Sequence, residues 1–144
     1  MVNNRFKLLF KCSWDFFICQ LGHNICEVDT MKKRLISSYD EINDTFVGKV
    51  DGENGFCADY NISNGIFLGI DKNNFPNVVY VNNASEVLDT PKQILENSNV
   101  KINIRCDGVS LCFNMFIEDL RICSIKCKND YGIPDINFEI DSNH

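Results

Sequence analysis

Histidine is nearly missing from this chain: His23 and His144 are the only two in 144 residues. A Cys–His or Ser–His nucleophile pair needs a positioned imidazole, and neither histidine has a clear place beside a nucleophile. Cys57, in Gly-Phe-Cys-Ala, has no basic neighbour to lower its pKa. Long apolar runs are missing too, and no stretch approaches the roughly 20 residues of a membrane helix. Cys-x-x-Cys knuckles do not occur despite eight cysteines, which weakens any zinc reading. No glycine loop is placed to cradle phosphate, because Gly65-x-x-x-Gly69 falls inside a predicted strand. Positive charge is short: 14 Lys and Arg against 20 Asp and Glu leave a net charge of −6. The longest basic run is Lys32-Lys33-Arg34, which argues against nucleic-acid binding.

What the chain does have is a core. Its hydrophobic fraction is 44%, with 11 Phe, and its length suits one domain that folds without staples. Its 19 Asn residues supply side chains that bond their own backbone in turns. Arg5 and Lys7 could open a signal peptide, but Lys11 and Asp15 break the apolar stretch behind them and no clean cleavage site follows. The expected compartment is therefore the cytoplasm, with the cysteines as reduced, small hydrophobic residues.

Residues 1–30 differ from the rest. They hold Trp14, three cysteines and His23, and their charges cancel: Arg5, Lys7 and Lys11 against Asp15, Glu27 and Asp29. Met31 then opens Met-Lys-Lys-Arg-Leu-Ile-Ser-Ser-Tyr, which reads as a natural start leading into a first strand. The expectation is an N-terminal extension over 1–30, outside the functional domain or forming a short amphipathic helix around 6–21, and a single domain over 31–144. Cys12, Cys19 and Cys26 recur every seven residues, and His23 shares their helical face. That set reads better as an apolar stripe than as a metal site, and Gly22 weakens the helix.

From Leu35 onward, short apolar runs alternate with turn signals. Leu35–Tyr39 and Thr45–Val50 flank a polar stretch; Asn64-Gly65 marks a hairpin before Ile66–Ile70. Val78–Val81 suits a strand buried on both faces. Thr90-Pro91-Lys92-Gln93 predicts one short helix over about 90–97, with Thr90 as its N-cap. Val100, Ile102, Ile104 and Cys106 then face one way, as do Val109, Leu111, Phe113, Met115 and Ile117, with Asp107-Gly108 as a type I′ turn between them. Glu118-Asp119 turns the chain into Leu120–Lys126, and Ile136–Ile140 adds a last edge strand after Pro134. The fold class is α+β, mostly β: an antiparallel meander of about seven to nine strands with one short helix.

Three pieces of this pattern carry a family resemblance. Tyr39-Asp40-Glu41 with Asp44-Thr45, then Gly65-Ile-Phe-Leu-Gly-Ile-Asp71, then Tyr80-Val-Asn-Asn-Ala-Ser85 stand in an order and spacing that resembles the YuzE-like family, domain of unknown function 2283, over about residues 38–88. Asn82 departs from the leucine usual there. The resemblance implies a small prokaryotic β-rich domain of unknown activity, and weakly a role in a gene pair.

Asp40, Glu41 and Asp44 form the densest acidic cluster. Two carboxylates could do acid–base work or hold Mg²⁺ or Ca²⁺, with Asp59 as a third; the favoured reading is a turn whose side chains bond backbone amides. Asp71-Lys-Asn73-Asn74 begins like a calcium loop, but Pro76 and Asn82 stand where Gly and Glu are needed. Cys106, Cys112, Cys123 and Cys127 have spacings of five, ten and three intervening residues, and alternation scatters them over two faces. No residue is therefore assigned as catalytic, cofactor-binding or metal-ligating, and no cofactor is expected. The expected function is a non-enzymatic protein-interaction domain, partnered by itself or another protein and oligomeric through strand pairing or an apolar sheet face near Phe116. The alternatives are an acidic, antitoxin-like partner of a basic protein, and a metal-dependent enzyme using Asp40 and Asp44.

Overall fold

Among the described residues, alternation of apolar and polar residues builds nine strands, and two short helices interrupt them. The computed structural model describes residues 30–52 and 58–142. The strands are β1 (Thr30–Asp40), β2 (Thr45–Val50), β3 (Ala58–Ser63), β4 (Ile66–Ile70), β5 (Pro76–Asn82), β6 (Val100–Cys106), β7 (Ser110–Ile117), β8 (Leu120–Lys128) and β9 (Ile136–Asp141). The helices α1 (Ala84–Val87) and α2 (Lys92–Asn97) lie between β5 and β6. The strands form one sheet in the order β3-β4-β5-β2-β1-β9-β6-β7-β8, curled into a nearly closed barrel.

The mostly-β expectation holds, and the pure antiparallel meander does not. β1 and β9 pair in parallel, Met31 with Phe138 and Lys33 with Ile140, which joins the first and last strands at the middle of the sheet. β9 is accordingly not an edge strand: it lies between β1 and β6, and Ile136, Phe138 and Ile140 are buried. Alternation reveals the buried face of a strand but not its neighbours. Among the described residues of the domain there are two helices where one is expected; the helix offered around 6–21 lies outside the described residues. Thr90 does not cap α2; its hydroxyl donates to the Leu88 carbonyl at 2.8 Å, and Pro91 holds the cap position with no side-chain bond.

The inner face is continuous. Leu35, Phe46, Leu68, Val79, Val81, Ile102, Ile104, Leu111, Phe113, Met115 and Ile140 are each at most 2% exposed, and burying side chains of this size contributes roughly 1.5–3 kcal/mol apiece. Val78 and Val79 are both buried, as the two-sided reading of β5 requires.

The turns carry their own chemistry. The Asn64-Gly65 hairpin joins β3 to β4, with Gly65 at φ 81°. A Cβ there would meet both the Asn82 carbonyl and a Val87 methyl at 3.0 Å. The type I′ turn is not at Asp107-Gly108. The central pair of that turn is Gly108-Val109, neither with positive φ, and the Asp107 carboxylate accepts the Val109 and Ser110 N–H groups, each at 2.7 Å. The turn with two positive φ values is Glu118-Asp119, at 50° and 68°, and it joins β7 to β8. No helix among the described residues is long and apolar enough to cross a membrane.

Candidate functional site

The acidic cluster resolves into two devices. Asp40 ends β1 and organises the loop after it. Its Oδ1 accepts the N–H groups of Ile42 and Asn43 at 3.0 and 3.2 Å, and its Oδ2 accepts the Asn43 side-chain amide at 2.7 Å. Asp44, at φ 53°, reaches across the fold instead. Its Oδ1 accepts the Tyr39 hydroxyl at 2.6 Å and the Ser85 N–H at 2.9 Å, while its Oδ2 accepts the Ser85 hydroxyl at 2.7 Å. Its carbonyl accepts the Ala84 N–H at 2.8 Å. The first N–H groups of a helix need acceptors. Asn83, the cap residue of α1, supplies no side-chain bond, so Asp44 caps the helix from 41 residues away.

Electrostatics follow from these bonds. Burial alone would raise the Asp44 pKa, but the hydrogen bonds from Tyr39 and Ser85 outweigh it, Lys92 adds its charge, and the group is held below the ordinary value. Tyr39 moves the other way, up to about 12: burial disfavours the phenolate, the bond to Asp44 favours the phenol, and the charges of Asp44, Glu41 and Asp40 repel a new anion. Both Asp44 oxygens are engaged, so the side chain ties α1 to the β1–β2 hairpin.

Asp59 does not join this cluster. It lies on β3, three strands from β2 in the sheet order, or about 14 Å at normal strand spacing. Asp71 also serves its own loop, accepting the N–H groups of Asn73 at 2.8 Å and Phe75 at 3.0 Å. The cysteines are split as alternation requires. Cys106 on β6 and Cys127 on β8 both stand in register with Leu111, on the inner face, and Cys123 with Met115, whereas Cys112 pairs Arg105 and Lys126 on the outer face. Burial first, then the neighbouring Cys112 and Cys127, push the Cys106 thiol up to about 12. Among the described residues no group of three His, Cys, Asp or Glu is arranged to hold a metal ion. Cys12, Cys19, His23, Cys26, Cys57 and His144 lie outside the described residues.

The open part of the molecule is the seam between the sheet's two edges. Most inner side chains of the central strands are buried, apart from Met31 and Lys33 at the start of β1, whereas Ala58 and Tyr60 on β3 and Cys123, Ile125 and Cys127 on β8 are only partly buried. The two edges are bridged beyond the end of β8, where Tyr131 stacks on Tyr60 with ring centroids 4.8 Å apart. β8 itself, nine residues long, pairs among the described residues with β7 alone. Three of its outer side chains are basic, Arg121 in register with Phe116, Lys126 with Cys112 and Lys128 with Ser110, and the fourth is Ser124, opposite Asn114. Lys126 lends its field to Asp107; Glu118 and Asp119 precede the strand and Asp130 follows it. Phe116 does face outward, as alternation requires, but it is half-buried and carries the Lys101 ammonium 4.8 Å above its ring. The signal missed in the sequence is the basic set Arg121, Lys126 and Lys128, which strict alternation would split and which the irregularity opposite Met115 and Phe116 brings to one face.

No family model, curated protein or solved structure matches the chain.

Proposed function

We propose that this chain is a non-enzymatic, YuzE-like protein-interaction domain that accepts an extended segment of a partner protein along β8. The observation that supports the reading is that β8 ends the sheet formed by the described residues, with one row of backbone groups facing the seam beside half-buried Cys123, Ile125 and Cys127. An added strand would satisfy those groups and cover those side chains, as in β-augmentation. Arg121, Lys126 and Lys128 select the partner. They repel a second β8, since like charges on paired strands destabilise, and they favour a strand whose outward positions are acidic. The motif carboxylates support the non-enzymatic half of the proposal, because Asp40 and Asp44 are consumed by local structure.

The test uses nine-residue peptides alternating valine with glutamate or valine with lysine, titrated by fluorescence anisotropy. The glutamate peptide is expected to bind in preference, and Lys126→Glu with Lys128→Glu is expected to reverse the preference. Equal affinity for both peptides, or no effect of the charge reversal, would sink the proposal.

A further inference from the structure

The outer face of β6, β7 and β8 carries five cations and no carboxylate. Side chains alternate between the faces of a strand, and residues in register share a face. Ile102 and Ile104 of β6 and Phe113 and Met115 of β7 are buried on the inner side. The residues between them point outward, which places Lys101 and Arg105 of β6 on the same surface as Arg121, Lys126 and Lys128 of β8. Lys101 is half-buried and the other four are exposed. Among the described residues no ion pair engages Arg105, Arg121, Lys126 or Lys128. Carboxylates border this face without entering it. Glu139 and Asp141 stand on β9 in register with Asn103 and Lys101, and each has a second cationic neighbour on β1, Lys32 and Arg34. Asp107 lies in the turn after β6, where Lys126 lends it its field, and Glu118-Asp119 form the turn after β7.

Four of the cations frame a neutral centre. Lys101 and Arg121 stand on either side of Phe116, and Arg105 and Lys126 on either side of Cys112. Each pair spans two strand spacings, about 10 Å, and the two rows are about 13 Å apart. Between them Asn103, Asn114 and Ser124 stand in register, side chains that both donate and accept. An acidic peptide would use the corners and leave this centre idle, and a duplex hides the faces of its bases. A single strand of nucleic acid uses both parts, its phosphates on the cations and a base on the centre. Phe116 carries the Lys101 ammonium 4.8 Å from its ring centroid, a modest attraction; a phosphate that draws Lys101 away frees the ring for a base. The net charge of −6 and the short basic runs speak against nucleic acid in the sequence, but the sheet gathers these cations from separate strands. Charges more than about 8 Å away are largely screened at physiological salt, so the local face decides. Carboxylates in the turns at both ends direct the polymer across the strands.

We infer that the outer face of β6–β8 binds single-stranded nucleic acid through its phosphates and a stacked base. The inference goes beyond strand capture at β8: Lys101 and Arg105 lie two strands in from that edge, about 14 Å from a strand added there. The probes are labelled ten-nucleotide oligouridylate and oligothymidylate, followed by fluorescence anisotropy with the full chain at low and physiological salt, with a duplex and a glutamate polymer of equal length as comparisons. Binding of a single strand is expected, with log K falling against log salt at a slope of about −2 to −3, as for three or four phosphates; the tighter of the two identifies the sugar. Lys101→Gln with Arg105→Gln is expected to flatten the slope by about 1.4 and weaken binding about tenfold or more, while the valine–glutamate peptide binds as before. Lys49→Gln with Lys72→Gln, the same charge change away from this face, should leave the slope unaltered. Phe116→Leu is expected to weaken binding about fivefold or more at unchanged slope. No binding of either single strand at low salt, a glutamate polymer bound as tightly, a duplex bound more tightly, a slope indifferent to Lys101→Gln with Arg105→Gln, or full affinity in Phe116→Leu would overturn it.

Discussion

Replacing Asp44 by alanine should be among the costliest single changes at a position outside the core. The side chain accepts three hydrogen bonds, from Tyr39, the Ser85 N–H and the Ser85 hydroxyl. Each contributes about 0.5–1.5 kcal/mol net at a half-exposed site, less than a buried bond to a charge because water can replace the acceptor. Asp44 also holds φ at 53°, where alanine is strained by about 1 kcal/mol more than aspartate. Together the change should cost about 3–4 kcal/mol, or about 10–15 °C in Tm for a chain of this size. Asp44→Asn keeps the backbone tolerance and one carbonyl acceptor, so its cost should be about half. Urea unfolding followed by tryptophan-independent circular dichroism reads both variants, and an unchanged m-value confirms that the fold persists. A double-mutant cycle of Tyr39→Phe with Ser85→Ala adds the coupling through the shared carboxylate, expected at about 0.5–1 kcal/mol. An Asp44→Ala cost below about 1 kcal/mol would refute the tie, because the three bonds would then be no better than bonds to water.

Three further outcomes follow from the same geometry. Tyr39 should make stability fall between pH 10 and about 12: its pKa is raised in the folded state, so the contribution is complete below the unfolded value near 10 and lost as pH rises through the folded one, and Tyr39→Phe should remove that fall in alkaline unfolding curves. Gly65→Ala should cost about 1–3 kcal/mol by urea unfolding, since it combines a positive φ with two contacts at 3.0 Å. Ending the chain after Asp135 should abolish cooperative unfolding, because β9 separates β1 from β6 at the sheet centre; a truncated protein that still melts cooperatively would restore the edge-strand reading.

The second half of the fold was the more legible in the sequence. Ile102, Ile104, Leu111, Phe113 and Met115 alternate without interruption, and every one is buried. Neighbour relations were not legible. Nothing local marks Ile136–Asp141 as central, because its parallel partner begins at Thr30, more than 100 residues earlier. The turn at 107–110 differs from its expected type for a related reason: a type I′ turn is inferred from residues that tolerate positive φ, whereas this turn is held by the Asp107 carboxylate. Glu118-Asp119 adopts the primed geometry without a glycine, the Glu118 carboxylate accepting the Asn99 N–H at 2.9 Å. At the acidic cluster, the turn role of Asp40 was legible from its spacing to Ile42 and Asn43. The role of Asp44 was not, since Ser85 reaches it only through the sheet. The order Tyr39, Asp44, Ser85 that makes the family resemblance is thus also one hydrogen-bonded unit.

In the sheet formed by the described residues, β8 is an edge with one row of backbone groups turned to the seam. Residue-resolved amide hydrogen exchange tests this most directly. In the protein alone, protection should alternate along Leu120–Lys128 while β9 is protected throughout, and the glutamate-alternating peptide should slow the fast-exchanging set. Continuous protection of β8 before any peptide is added would contradict it, because that edge would already be covered.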